Sequence, residues 1–176
     1  MYNESVITAE QEKWLNHLSN TDRITIIPYD PTTPQKFEKV KTEIQAKLGD
    51  VEVAHCGATS LGISGQDEID VYIPSSPDTY DAYLVALTDL YGQPRTHHPL
   101  ERSRFVTNVD DKHVTVSLMN QERDGWKNMV KFQDYLRTHP EALDTYRKLK
   151  EEGNGLSTRE YYRRKVEFLN YILAQS

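Results

Sequence analysis

The residue types best suited to chemistry lie between positions 53 and 73. Val53-Ala54-His55-Cys56 is a largely apolar run that ends in Gly57-Ala58-Thr59-Ser60. A flexible link through Gly62-Ile63-Ser64-Gly65 then leads to Glu68-Ile69-Asp70-Val71-Tyr72-Ile73. Strand side chains alternate between faces, so Glu68 and Asp70 would point one way while Ile69 and Val71 enter the core. Two neighbouring carboxylates repel each other unless a cation sits between them. Hard oxygen donors of this kind suit Mg²⁺, with Mn²⁺ as a substitute, and Mg²⁺ commonly completes its shell with water and substrate phosphates. Gly57 would let the backbone approach a bound group closely, and the Thr59 and Ser60 hydroxyls could donate to phosphate oxygens. The bland alternative is an ordinary turn followed by acids on the solvent face of a half-buried strand.

Helices and strands must hold these residues in place. Thr8 and Gln11 have capping-box spacing, which predicts a helix to about Asn20 with Trp14, Leu15 and Leu18 on one face. Arg23 to Pro28 reads as a strand, closed by Tyr29-Asp30-Pro31. From Pro34, apolar residues at 37, 40, 44 and 48 recur at helical spacing, with Gly49 as C-cap. A strand over Val51–Cys56 and the acid-bearing strand over Glu68–Ile73 follow. Ser76-Pro77 opens a helix that Gly92 ends, and His97-His98-Pro99 reads as loop. Phe105–Val109 and His113–Leu118 alternate around Asp110-Asp111-Lys112 as a hairpin, with the two turn acids in solvent. Its second strand puts Val114, Val116 and Leu118 on one face and His113, Thr115 and Ser117 on the other.

Everything after Gly125 reads as helix. Trp126, Met129, Val130 and Leu136 face inward before a break at Pro140, with a second capping box at Thr138 and Glu141. Leu143, Tyr146 and Leu149 stripe the next helix, and Ser157 and Glu160 cap the last, which carries Tyr161, Val166, Phe168, Leu169 and Ile172. The plan is α+β: a small mixed sheet flanked by helices, with a helical C-terminal third. A single domain over residues 1–176 is expected, with a helical extension over 1–22 and the helices of 125–176 packed on the same domain.

Composition narrows the classes of function. The chain has 176 residues, 37% hydrophobic and 27% charged, enough for a sizeable core. A formal net charge of −6 argues against general nucleic-acid binding, which needs a dense basic face. No apolar stretch reaches membrane-span length. The start Met-Tyr-Asn-Glu-Ser has no secretory pattern, so the cytoplasm is the expected location. The lone Cys56 fits a reducing compartment and reads as a small buried hydrophobe.

Several ordered motifs together resemble the GrpB family, a branch of the nucleotidyltransferase superfamily with the DNA polymerase β-like fold. They are His55-x-Gly57-Ala58-Thr59-Ser60-Leu61, Gly65 with Glu68-Ile69-Asp70-Val71, Tyr29-Asp30-Pro31, His113-Val114, Phe132-x-Asp134-Tyr135-Leu136-Arg137-x-His139-Pro140, Tyr146-x-x-Leu149-Lys150, and Tyr162, Lys165 and Phe168. The resemblance runs from about Arg23 to Leu173. It implies that the glycine-hydroxyl turn holds a nucleoside triphosphate or other phosphorylated small molecule, while Glu68 and Asp70 hold Mg²⁺. The implied reaction moves a nucleoside monophosphate onto a hydroxyl of a small molecule or protein. Lys131, Arg137, Lys150 and Lys165, with Arg104 beside the hairpin, are candidates to meet phosphate; as basic residues on amphipathic elements they equally fit a solvated face.

This chain departs from the family pattern. Ala58 replaces a serine, Glu68 an aspartate, Gln66 a basic residue, and Gln133 an arginine; Gly62-Ile63 stands where Pro-Gly is usual. A third carboxylate is expected on a later strand, where this chain offers His113, Thr115 and Ser117. His113 is either a base or phosphate contact, or a structural histidine. Two functions therefore stand side by side: a Mg²⁺-dependent nucleotidyltransferase, and a non-catalytic protein that binds a nucleotide or phosphometabolite.

Overall fold

The computed structural model describes residues 7–175; the start Met-Tyr-Asn-Glu-Ser, on which the expected location rests, lies outside them. The described chain forms two compact units, one of residues 29–63 and 67–129, the other of residues 7–28, 64–66 and 130–175.

The first unit is built on a five-stranded mixed sheet. Its strands are β1 (Ala54–Cys56), β2 (Glu68–Ser75), β3 (Thr96–His98), β4 (Arg102–Val109) and β5 (Lys112–Asn120), in the order β1-β2-β5-β4-β3. β2 runs parallel to β5, and every other pair is antiparallel. Helices α2 (Thr33–Leu48) and α4 (Pro77–Tyr91) bring Phe37, Val40, Ile44, Tyr80 and Leu87 onto one sheet face. There they meet Ile69, Val71, Ile73, Phe105, Val114, Val116 and Leu118, all fully buried. Burying an aliphatic or aromatic side chain of this size stabilises by about 1.5–3 kcal/mol. A one-residue slip of β2 would turn Ile69, Val71 and Ile73 outward, so the core fixes which way Glu68 and Asp70 point.

The mixed sheet with flanking helices is the fold class the sequence implies, and several local signals hold in detail. Ser76 caps α4 by accepting from the Thr79 amide, Gly49 and Gly92 end their helices, and Cys56 is buried. Other readings are corrected. β1 covers only the last half of Val51–Cys56, because its ladder with β2 starts at Ala54 and Tyr72; two residues further along β2 stands Pro74, which has no amide to donate. Gly57–Ser60 is a single helical turn, α3. His97 and His98 belong to β3 and pair with Ser103 and Arg102 rather than forming a loop.

In the second unit, α1 (Ala9–His17) begins at the expected Thr8 capping box but stops at Leu18, whose backbone turns extended. Leu15 is fully buried, whereas Trp14 is 45% exposed and meets the edge of Tyr162 instead of the core. Arg23 to Pro28 does not form a strand. Its polar groups are taken singly: Arg23 bridges to Ser157, Ile24 bonds Gly155 and Leu156, Ile26 the Asn154 side chain, and Ile27 bridges to Gly65. The C-terminal third is α5 (Asp124–Thr138), of which residues 124–129 fall in the first unit, α6 (Pro140–Glu152) and α7 (Thr158–Gln175). Tyr146 stacks on Phe168 at 5.2 Å, and Phe132 meets both rings edge-on. Ser157 accepts from the Glu160 amide as the cap of α7. Thr138, by contrast, does not cap α6: its hydroxyl bonds back to the Asp134 carbonyl within α5, and His139 takes the cap position. Gln133 is buried among the apolar residues of α5, its Oε1 without a hydrogen bond.

Candidate functional site

On the sheet face opposite α2 and α4, the registers assemble a band of polar side chains. Glu68 and Asp70 are both half-buried on β2, flanking the fully buried Ile69. β5 sets His113 beside Glu68, Thr115 beside Asp70 and Ser117 beside Tyr72. β4 adds Asn108, Val106 and Arg104 to those three rows, and Cys56 of β1 pairs with Asp70 on the other side. Glu68, Asp70, His113 and Arg104 therefore share one face of one sheet. Thr115 occupies the place on β5 beside Asp70.

Gly57 is shaped to Asp70. Its φ of +74° suits glycine, and a Cβ there would sit 2.3 Å from Asp70 Oδ2. The Asp70 carboxylate thus packs against bare backbone at the start of α3.

The two hydroxyls after Gly57 are engaged within this unit. Thr59 Oγ1 donates to the Glu68 carbonyl at 3.0 Å, leaving it to accept from His55 Nε2, also at 3.0 Å. His55 stacks on Phe37 at 4.6 Å. Ser60 Oγ donates to the Gly57 carbonyl at 2.8 Å. These bonds tie α3 to the first residue of the acid strand, so Thr59 acts on Glu68 through its backbone.

Tyr72 lies among the charged groups of this face. Burial pushes its phenol well above the ordinary tyrosine range; Asp70 and Cys56 add to the rise, and Arg102 and Arg104 oppose it. The phenol stays protonated. Arg104 Nη2 reaches Thr115 Oγ1 at 3.5 Å. His113 is half-buried, and its side chain forms no hydrogen bond among the described residues.

A second set of charges at the start of the same strands escaped the sequence reading. Lys112, 3% exposed, forms ion pairs with Asp67 and, at 3.1 Å, with Asp30. Lys36 bridges Asp30 at 3.2 Å and Asp111 at 2.5 Å. The Thr32 hydroxyl and amide, with Lys112 and Lys36, hold the Asp30 carboxyl far below the ordinary range. Lys36 lowers Asp111 in the same way. Asp67 has φ +63°, unusual for a residue with a Cβ. The turn acids are exposed, as expected, yet both are paired, Asp110 with Lys39 at 2.7 Å.

The basic candidates of the C-terminal third belong to the other unit. Lys150 is buried, donates to the Tyr161 hydroxyl at 3.3 Å and lies 4.9 Å from the Tyr146 ring centre. Lys165 stands 4.7 Å from the Tyr162 ring and 5.5 Å from that of Tyr161. Lys131 is exposed, and Arg137 pairs with Asp134 at 3.4 Å on the helix surface.

Two carboxylates beside a backbone cradle are donors that fit a hard divalent cation. Among the described residues no group of three or more His, Cys, Asp or Glu is placed to hold a metal ion. A cation here would therefore take most of its shell from water and ligand oxygens.

The molecule is thus an α+β protein whose mixed sheet carries paired acids on one face, preceded by a glycine turn. The chain belongs to the GrpB family, whose model, described as GrpB protein, matches residues 23–175. It is 24% identical to a UPF0157 protein of Halalkalibacterium halodurans over 72% of this chain and 67% of that one. A UPF0157 protein of Vibrio cholerae is 23% identical over 84% of this chain and 79% of its own length. The crystal structure of the conserved protein GrpB from Enterococcus faecalis shares the fold, with a TM-score of 0.64 at 17% identity, covering 85% of this chain and 98% of the other. Among the described residues no helix is long and apolar enough to cross a membrane.

Proposed function

We propose that this protein binds a Mg²⁺-complexed nucleotide or other phosphometabolite at Glu68 and Asp70. The observation that carries the reading is the half-buried carboxylate pair on β2, aligned by the buried Ile69 and backed by the bare backbone of Gly57. Like charges on alternate residues of one strand face favour a cation between them. The bound cation would neutralise phosphate charge and orient the phosphate on this face. Glu68 and Asp70 would supply its protein ligands, with α3 and Thr59 holding the start of β2 in place.

Binding is the function supported directly by this geometry, because Thr115 rather than an acid stands beside Asp70. Nucleotidyl transfer is the second reading. It is favoured by His113, which shares a row with Glu68 and whose half-buried imidazole has no hydrogen bond among the described residues, leaving it available to a ligand proton. A thermal-shift screen of nucleoside triphosphates with and without Mg²⁺ tests both. Binding predicts a rise in melting temperature that needs metal and nucleotide together. Transfer further predicts pyrophosphate release that His113→Gln abolishes while the thermal shift remains. No shift with any nucleotide at millimolar concentration would contradict the proposal.

A further inference from the structure

Arg104 stands apart from the arginines that this protein uses structurally. Arg147, Arg163 and Arg164 each pair with carboxylates, and Arg159 donates to the Asn16 and Leu18 carbonyls. Arg104 is half-buried on a central region of the sheet, and among the described residues no carboxylate lies within salt-bridge distance of it. A guanidinium carries five N–H donors in a rigid fork matched to a carboxylate or phosphate edge. Among the described residues one of them meets an acceptor, the Thr115 hydroxyl at 3.5 Å.

The register says where that fork lies. Arg104 is the partner of Ser117, one row beyond Thr115, and its side chain reaches back toward Asp70's row. Thr115 is Asp70's neighbour across one strand spacing, about 5 Å. A guanidinium over Thr115 and a cation on Asp70 are therefore separated by about the width of one phosphate group.

Building on the cation site above, we propose that Arg104 and Thr115 form an oxyanion subsite that holds a phosphate group of the ligand jointly with the cation on Glu68 and Asp70. The ligand class is a phosphate ester or polyphosphate with a free phosphate edge. Arg104 sets this specificity, because a neutral ligand would leave a half-buried guanidinium without an anion.

The test uses the full chain and inorganic pyrophosphate as the probe, with Mn²⁺ standing in for Mg²⁺. Calorimetry reads pyrophosphate binding and electron paramagnetic resonance reads Mn²⁺ binding. Arg104→Gln should weaken Mn²⁺-dependent pyrophosphate binding at least tenfold and leave binding of Mn²⁺ alone unchanged. Arg104→Lys, a point charge without the fork, should fall between. Thr115→Val, which keeps shape and loses the hydroxyl, should weaken binding about threefold, and it carries the test if Arg104→Gln fails to fold by circular dichroism. Undiminished pyrophosphate binding in Arg104→Gln overturns the subsite while leaving the cation site standing. Wild-type protein that binds pyrophosphate through Arg104 but never Mn²⁺ would retain the subsite and remove the cation site. Binding of neither probe, or of adenosine as tightly as adenosine triphosphate, overturns the proposal.

Discussion

Two clusters of charge sit on the same pair of strands and are arranged in opposite ways. At the start of β2 and β5, Asp30, Asp67 and Asp111 interleave with Lys36 and Lys112, so each charge has an opposite partner within ion-pair distance. One to three residues further along, Glu68 and Asp70 place like charges on one face, with Arg104 beyond them unmatched by any carboxylate among the described residues. The first arrangement satisfies itself and pins the loop before α2, the turn before β2 and the hairpin together. The second sets two like charges side by side on one strand face, the place proposed above for a cation.

That contrast can be broken most forcefully at Lys112. Lys112→Met should cost about 3 kcal/mol, since removing one partner of a buried pair strands the carboxylates it faced. Urea unfolding measures this, and a loss below 1 kcal/mol would mean that the network does not hold the fold. Replacing Lys112 by Arg should recover most of the loss.

Gly57→Ala should come next, at about 2 kcal/mol. It forces a Cβ into a left-handed backbone and against Asp70 Oδ2. A smaller loss in Asp70→Gly/Gly57→Ala than the sum of the two changes would trace the cost to that contact.

Acid should attack the matched cluster selectively. Asp30 and Asp111 have folded-state pKa values depressed below those of the unfolded chain. Their contribution is fully present above the ordinary carboxylate value near pH 4 and is lost as the pH falls through the folded values. Stability should therefore decline from about pH 4 downward, and Asp30→Asn should flatten that decline. An equally steep acid limb in Asp30→Asn would place its cause elsewhere.

The sequence foretold the two regions unequally, for a physical reason. Alternation around Ile69 and Val71 is local, and the core enforces it, so the shared face of Glu68 and Asp70 was legible. The capping of α1, α4 and α7 was legible too, because a cap acts over three residues. The matched cluster joins residues far apart in the chain, and only a faint signal announced it: Lys112 has the inward parity of Val114 and Val116, an unusual place for a lysine. Thr59 and Ser60 looked like phosphate donors because their type suits that work; their actual bonds, to the Glu68 and Gly57 carbonyls, depend on α3 being helical. Residues 23–28 had strand composition but found single partners in place of a ladder.

The smallest stability effect belongs to the site, and there it decides most. Removing one of two like charges relieves repulsion in the metal-free protein. Calorimetric titration of Mg²⁺ into wild type and Asp70→Asn, with unfolding of both measured metal-free, tests the central claim directly. The expected result is Mg²⁺ binding in wild type and none in Asp70→Asn, whose metal-free stability is unchanged or raised by a few tenths of a kcal/mol. Equal Mg²⁺ behaviour in the two proteins, or a clear loss of metal-free stability in Asp70→Asn, would contradict it and make Asp70 part of the scaffold.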